Sequence, residues 1–232
     1  MINLPSLTLA AIDGVGNKTE EHVEIFNKCS EGIVYGDKVL VTADPEIGDL
    51  EGIRVCKIDK MDYQEFNVTL GTKMINYIET DQMLMVQEDG YVLNADAWRD
   101  EFLHYDYLAT PWLEEDWSLN NLCQGSKDHA VGGGGFSLRS RRFLEEAAKL
   151  PYDKNMASIV NEDVFMCNTR FARNHLESKG MRYAPLDLAV YFGLGLSNIV
   201  EIFEKGYIKR EEMFGFHGYT ALDGYLSCEA VL

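Results

Sequence analysis

Basic residues are scarce in this chain. Lys and Arg number 21 against 38 Asp and Glu, a formal net charge of -17. A general nucleic-acid binder needs a basic footprint, so the balance argues against bulk nucleic acid as a partner. A local basic pocket is still allowed. Cysteine is also thin: Cys29, Cys56, Cys123, Cys167 and Cys228 are odd in number and scattered, with no Cys-x-x-Cys. Reduced thiols in a cytoplasmic protein are the simplest account. No apolar run approaches a membrane span, and no basic start leads into the apolar stretch of a signal peptide. Two phosphate-binding fingerprints are missing as well. Gly14-Val15-Gly16 has Thr19 where a dinucleotide fingerprint needs its third glycine, and no Gly-Lys-Ser/Thr follows the glycines at 132–135.

What is present is an α/β pattern. The 232 residues are 46% apolar, ample for a core. Leu7 to Ile12 reads as a strand running into Asp13, and Lys18 to Cys29 as an amphipathic helix. A second strand is expected over Lys38–Ala43, with Gly36-Asp37 interrupting the run before it, and an edge strand over Arg54–Ile58. Leu70, Met74, Tyr77 and Ile78 have helical spacing, with Asn67 as N-cap, and a strand at Met83 follows. Such alternation implies parallel pairing through right-handed crossovers. A single domain over 1–232 is expected, in two halves, 1–112 and 113–232.

Three segments carry candidate chemistry. In MLMVQEDGYVLN, the strand ends in Gln87-Glu88-Asp89-Gly90 and is expected to resume at Tyr91. Carboxylates at the carboxyl end of a buried strand sit where open α/β sheets bind ligands, and can hold a divalent cation against a phosphate. Asp13 ends the first strand, as a nucleotide contact or as a turn and helix cap. The second segment is Gly132-Gly133-Gly134-Gly135, leading into a strand and the basic cluster Arg139, Arg141 and Arg142. Glycines that cost so much entropy to order suit a pocket wall presenting amides to ligand oxygens, and one arginine could face a diphosphate. The third is Asn161-Glu162-Asp163, a helix start whose acids either complement the helix end or serve as general base. Before it, Trp112 leads into an aperiodic polar loop over 113–130 that contains Trp117, and after it a helix or strand–helix junction is expected at 186–192.

QEDGYVLN, WRDEFLHYDYLATPW, VGGGGFSLRSRRFLE, NEDVFMC and FGFHG, in this order, resemble the DUF5672 family, whose members are similar to GT-A-fold glycosyltransferases. The resemblance implies a GT-A-like α/β domain with a mostly parallel central sheet flanked by helices. It implies transfer of a sugar from a nucleoside-diphosphate sugar to an acceptor hydroxyl, inverting and assisted by Mn²⁺ or Mg²⁺. The acceptor could be a glycan, a protein, a small molecule or a modified nucleobase. Asp89 matches the last acid of the Asp-x-Asp motif of those enzymes, with Gln87 in place of the first acid and Glu88 adding charge. His217 resembles the histidine that completes the metal shell. Gly133 and Gly134 are similar to donor-lining loops, and Glu162 and Asp163 to the acidic pair at the acceptor, Asp163 as base. Gln87 keeps a non-catalytic nucleotide-sugar or carbohydrate-binding module in play. A metal-dependent nucleotidyltransferase or phosphodiesterase is a further alternative.

Overall fold

The computed structural model describes residues 1–112, 131–195, 203 and 208–227. The polar loop at 113–130, with Trp117, lies outside them. Six strands form one sheet: β1 (Ile2–Asp13), β2 (Ile33–Thr42), β3 (Arg54–Lys57), β4 (Gln82–Met85), β5 (Tyr107–Ala109) and β6 (Ser137–Ser140). Their order is β3-β2-β1-β4-β6-β5. Neighbours pair in parallel from β3 to β4, and β6 runs antiparallel to both β4 and β5. The mixed α/β, mostly parallel sheet flanked by helices is therefore as expected.

Both faces of the sheet are covered, which is why its strands read as near-continuous apolar runs. Leu7, Leu9 and Ala11 point into one cluster with Phe26, Leu84, Phe102 and Phe136. Ala10 and Ile12 point into the other, with Val39, Leu70, Met74 and Met83. Helix α1 (Thr19–Cys29) buries Ile25, Phe26 and Cys29 on the first face.

Several boundaries differ from expectation for definite reasons. β2 runs unbroken through Gly36, where a side chain could not fit: its Cβ would lie 1.9 Å from the Pro5 carbonyl oxygen. The helix expected after Asn67 starts earlier, as α2 (Tyr63–Val68), because Asp62 caps it by accepting from the Glu65 amide. Asn67 is thus inside the helix, and its side chain instead accepts from the Glu162 amide at 3.3 Å. The segment continues as a π turn over Thr69–Lys73 and a 3-10 turn over Met74–Asn76, still burying Leu70 and Met74. Asn94 caps a 3-10 turn, Ala95–Ala97. The strand does not resume at Tyr91, because Gln87 and Gly90 close a tight turn through two mutual backbone hydrogen bonds.

After β6 come helices α3 (Arg141–Ala147), α4 (Lys154–Ala157), α5 (Glu162–Asn168), α6 (Arg170–Ser178) and α7 (Leu186–Phe192). A parallel pair, β7 (Gly193–Gly195) and β8 (Gly215–His217), precedes the helix Tyr219–Ser227. β6 comes from the second half of the sequence yet sits between β4 and β5, so the halves share the sheet. No helix among the described residues is long and apolar enough to cross a membrane.

Candidate functional site

The chain leaves β1 for β2 and β3 on one side, then returns to place β4 on the other. That reversal opens a crevice beyond the carboxyl ends of β1 and β4, the place where open α/β sheets take ligands. The β1 end supplies Asp13 and the loop to α1. The β4 end supplies the turn Gln87–Gly90.

Asp13 is buried, and its carboxylate accepts from the amides of Gly16 at 2.8 Å and Lys18 at 3.0 Å, and from the Thr19 hydroxyl at 3.2 Å. Burial alone would raise its pKa; the amides of Lys18 and Gly16 outweigh it and hold the carboxyl below its ordinary value. The structure thus shows Asp13 bracing the turn before α1.

His217 reaches the β4 turn because β8 runs beside residues 89–93. Gly218 N–H donates to the Asp89 carbonyl at 2.5 Å, Phe216 N–H to that of Tyr91 at 3.3 Å, and Leu93 N–H to that of Phe214 at 2.9 Å. His217 Nε2 then lies 3.9 Å from Asp89 Oδ1. A Cβ placed on Gly135 would sit 2.2 Å from Gln87 Oε1 and 2.3 Å from His217 Nε2, so both polar atoms converge over that glycine. Gln87, Asp89 and His217 form one cluster of amide, carboxylate and imidazole.

The glycine run is packed on every side. A Cβ on Gly132 would meet the Trp112 ring at 2.1 Å, and one on Gly133 the Thr110 hydroxyl at 2.4 Å. Gly133 also has φ +94°, which favours glycine. A Cβ on Gly134 would lie 1.9 Å from Glu162 Oε1. The amide of Gly134 donates to Asp163 Oδ2 at 3.2 Å, and its carbonyl accepts from Arg139 at 3.3 Å. The ribbon therefore lies between the acid pair of α5 and the Gln87–His217 cluster, joining the three motifs at one edge of the sheet.

Within the acid pair the two members differ. Glu162 is 3% exposed and bound to Arg139 at 2.8 Å. Burial first, and Asp163 second, push its pKa up to about 7 against the pull of Arg139. Asp163 is only half-buried, with Oδ1 accepting from the Val164 amide at 2.7 Å.

Arg139 departs from the expected diphosphate contact. Its guanidinium is 1% exposed and donates to Leu70 O, Gly134 O, Ser137 Oγ and Glu162 Oε1. Those acceptors leave it no free fork for a ligand. Arg141 and Arg142 begin α3 next to Ser140, which pairs with Gln82 at the opposite end of β4. Among the described residues, a cation that does reach the crevice is Lys18, which the sequence marks only by its place at a helix start. It crosses from the β1 loop to form an ion pair with Glu88, and its side chain is 42% exposed. The one signal for it was position: a cation just after the Gly14–Gly16 loop. His22 lies behind this pair, buried, with Nδ1 2.7 Å from the Lys18 carbonyl oxygen.

Among the described residues, no group of three or more His, Cys, Asp or Glu is arranged to hold a metal ion. Asp89 and His217 are two such groups, and Gln87 adds a neutral oxygen. Two ligands of one small cation, each about 2.1 Å from it, lie roughly 3 to 4 Å apart. The 3.9 Å separation of Asp89 and His217 fits that span. The donor set suits a cation whose remaining positions are filled by phosphate or water oxygens.

Residues 67–217 match the family described as "Protein of unknown function (DUF5672)". No curated protein matches the chain. Among solved structures, the chain is similar to a glycosyltransferase involved in the glycosylation of the major capsid of PBCV-1. The match has 12% identity and a TM-score of 0.44, covering 97% of this chain and 100% of that one.

Proposed function

The chain belongs to the DUF5672 family, and we propose that it is a glycosyltransferase that moves a sugar from a nucleoside-diphosphate donor to an acceptor hydroxyl. One observation carries the reading. Gln87, Asp89, His217, the glycine ribbon and Asp163 meet at the carboxyl edge of the sheet, beside the crevice between β1 and β4. A candidate cation cluster and a candidate base thus lie on opposite flanks of one glycine ribbon.

Asp163 is the candidate general base. It accepts the acceptor's hydroxyl proton as that oxygen bonds to the anomeric carbon. The bond from that carbon to the diphosphate breaks, and its electron pair goes to the leaving oxygen. Attack from the Asp163 side, opposite the diphosphate, inverts the centre. Glu162 does not face the substrate in this scheme; with Arg139 it fixes Gly134 and the start of α5. Mn²⁺ or Mg²⁺ on Asp89 and His217 would neutralise the charge that grows on the diphosphate. The cytoplasm, where nucleotide sugars are made, is the natural compartment for this activity.

Thermal-shift screening of UDP-, GDP- and ADP-sugars, with Mn²⁺ and with chelator, tests the reading. At least one donor should raise the melting temperature, and incubation with acceptors should release its nucleotide. Absence of any shift would overturn the proposal. Gln87, in place of a second acid, favours one other reading, a binding module without transfer. Donor binding with no turnover on any acceptor would select that reading.

A further inference from the structure

We infer that Lys18 is the side chain that meets the phosphates of the ligand in this crevice, and that Glu88 holds it in the empty site until a phosphate takes it over. The inference rests on the nucleoside-diphosphate reading above. Three features of the crevice lead to it.

The first is position. Lys18 is fixed at its backbone by the Asp13 carboxylate, one residue before α1. From there its side chain spans the switch point between β1 and β4 and ends on the β4 turn. The second is availability. An ammonium has three donors, and Glu88 is its one acceptor among the described residues. By contrast, Arg139 is enclosed by its own partners, and Arg141 and Arg142 belong to the other end of β4. The third is charge. Glu88 and Asp89 are adjacent on the turn and would repel an incoming diphosphate. Lys18 cancels the nearer of these charges and brings a cation to the place where the phosphates must lie. A phosphate offers more charge and more oxygens than one carboxylate, so the ammonium transfers from Glu88 to the ligand.

The alternative is that Lys18 only masks Glu88 and never touches a phosphate. A double-substitution cycle separates the two. Isothermal titration of UDP, GDP and ADP into the full chain, with Mn²⁺ and with chelator, first identifies the diphosphate that binds. Lys18→Met should weaken that diphosphate at least tenfold and leave the matching nucleoside within about twofold. Lys18→Arg should stay within about threefold of the parent. Glu88→Gln should tighten binding, because Lys18 no longer has to leave a charged partner. Lys18→Met/Glu88→Gln should remain at least tenfold weaker than Glu88→Gln alone. Recovery of parental affinity in the double variant would overturn the inference, as would an unaltered Lys18→Met, with the donor reading left standing. If Lys18→Met does not fold, Glu88→Gln decides, and no tightening there counts against the inference. Failure of every diphosphate to bind the parent protein under both conditions would remove both readings together.

Discussion

Replacing Arg139 by Met should destabilise the protein more at pH 8 than at pH 4.5. Arg139 is fully enclosed and donates to Glu162, itself buried, and to the oxygens of Leu70, Gly134 and Ser137. Met fills much of the same volume but satisfies none of these acceptors. At low pH Glu162 is protonated in the folded state, so the variant loses hydrogen bonds alone, about 1–3 kcal/mol. At pH 8 the parent keeps Glu162 ionised beside Arg139, while the variant must hold it unpaired or take up a proton, which adds about 1.4 kcal/mol for each pH unit above the parent's pKa.

The pH window follows from Glu162. Its folded pKa, about 7, is above the ordinary 4.5. A raised acid contributes stability that is fully present below its unfolded pKa and lost as pH rises through the folded one. Without Arg139, burial and Asp163 act unopposed and the folded pKa rises further. The gap between parent and variant must therefore hold steady from pH 4.5 to about 7 and widen above it. Urea denaturation of both proteins at pH 4.5, 6, 7 and 8 measures the gap directly, other titrating groups cancelling in the difference. A gap of constant size across that range would refute the buried-pair reasoning, and so would a loss below about 1 kcal/mol at pH 8.

Other outcomes follow from the same geometry. Gly134→Ala should cost about 1–3 kcal/mol, because its methyl meets a Glu162 carboxylate that Arg139 holds in place; an unchanged denaturation midpoint would contradict the packing. Asp13→Ala should cost about 2–3 kcal/mol at pH 6 through loss of its charge-assisted bonds to the β1 loop. Because the Asp13 pKa is lowered on folding, that penalty should shrink as pH falls toward 3, and a penalty that grows with acid would reverse the assignment. His217→Ala should abolish the tightening of nucleoside-diphosphate binding by Mn²⁺ while leaving binding in chelator unchanged, read by calorimetry; an intact Mn²⁺ effect removes His217 from the cation. Asp163→Asn should keep donor binding and slow transfer about a hundredfold or more, whereas near-normal transfer would remove Asp163 as base.

The sheet was legible in the sequence wherever burial imposed a pattern. β1, β4 and α1 are strongly apolar or strongly periodic, and they fall where that pattern puts them. Elements set by contacts distant in sequence were not legible. Gly36 was read as a break because glycine weakens strands, but it is there to clear Pro5. Asn67 was read as a cap because it precedes an apolar run, and its partner turned out to be Glu162, 95 residues on. The site divides in the same way. The acid turn, the glycines, the acid pair and His217 could each be found by residue type, but only tertiary structure shows that one ribbon joins them. Arg139 is the instructive miss. Strand alternation puts it on the same face of β6 as Ser137, opposite Leu138, and in register with Met83 of β4. A charge at that place in a sheet covered on both faces needs a buried partner, not a ligand. The basic cluster at 139–142 suggested a phosphate contact only while the cover on that face, from Leu70 and α5, was unknown. Once it is known, the positive charge available to a ligand has to come from the crevice itself, where Lys18 stands.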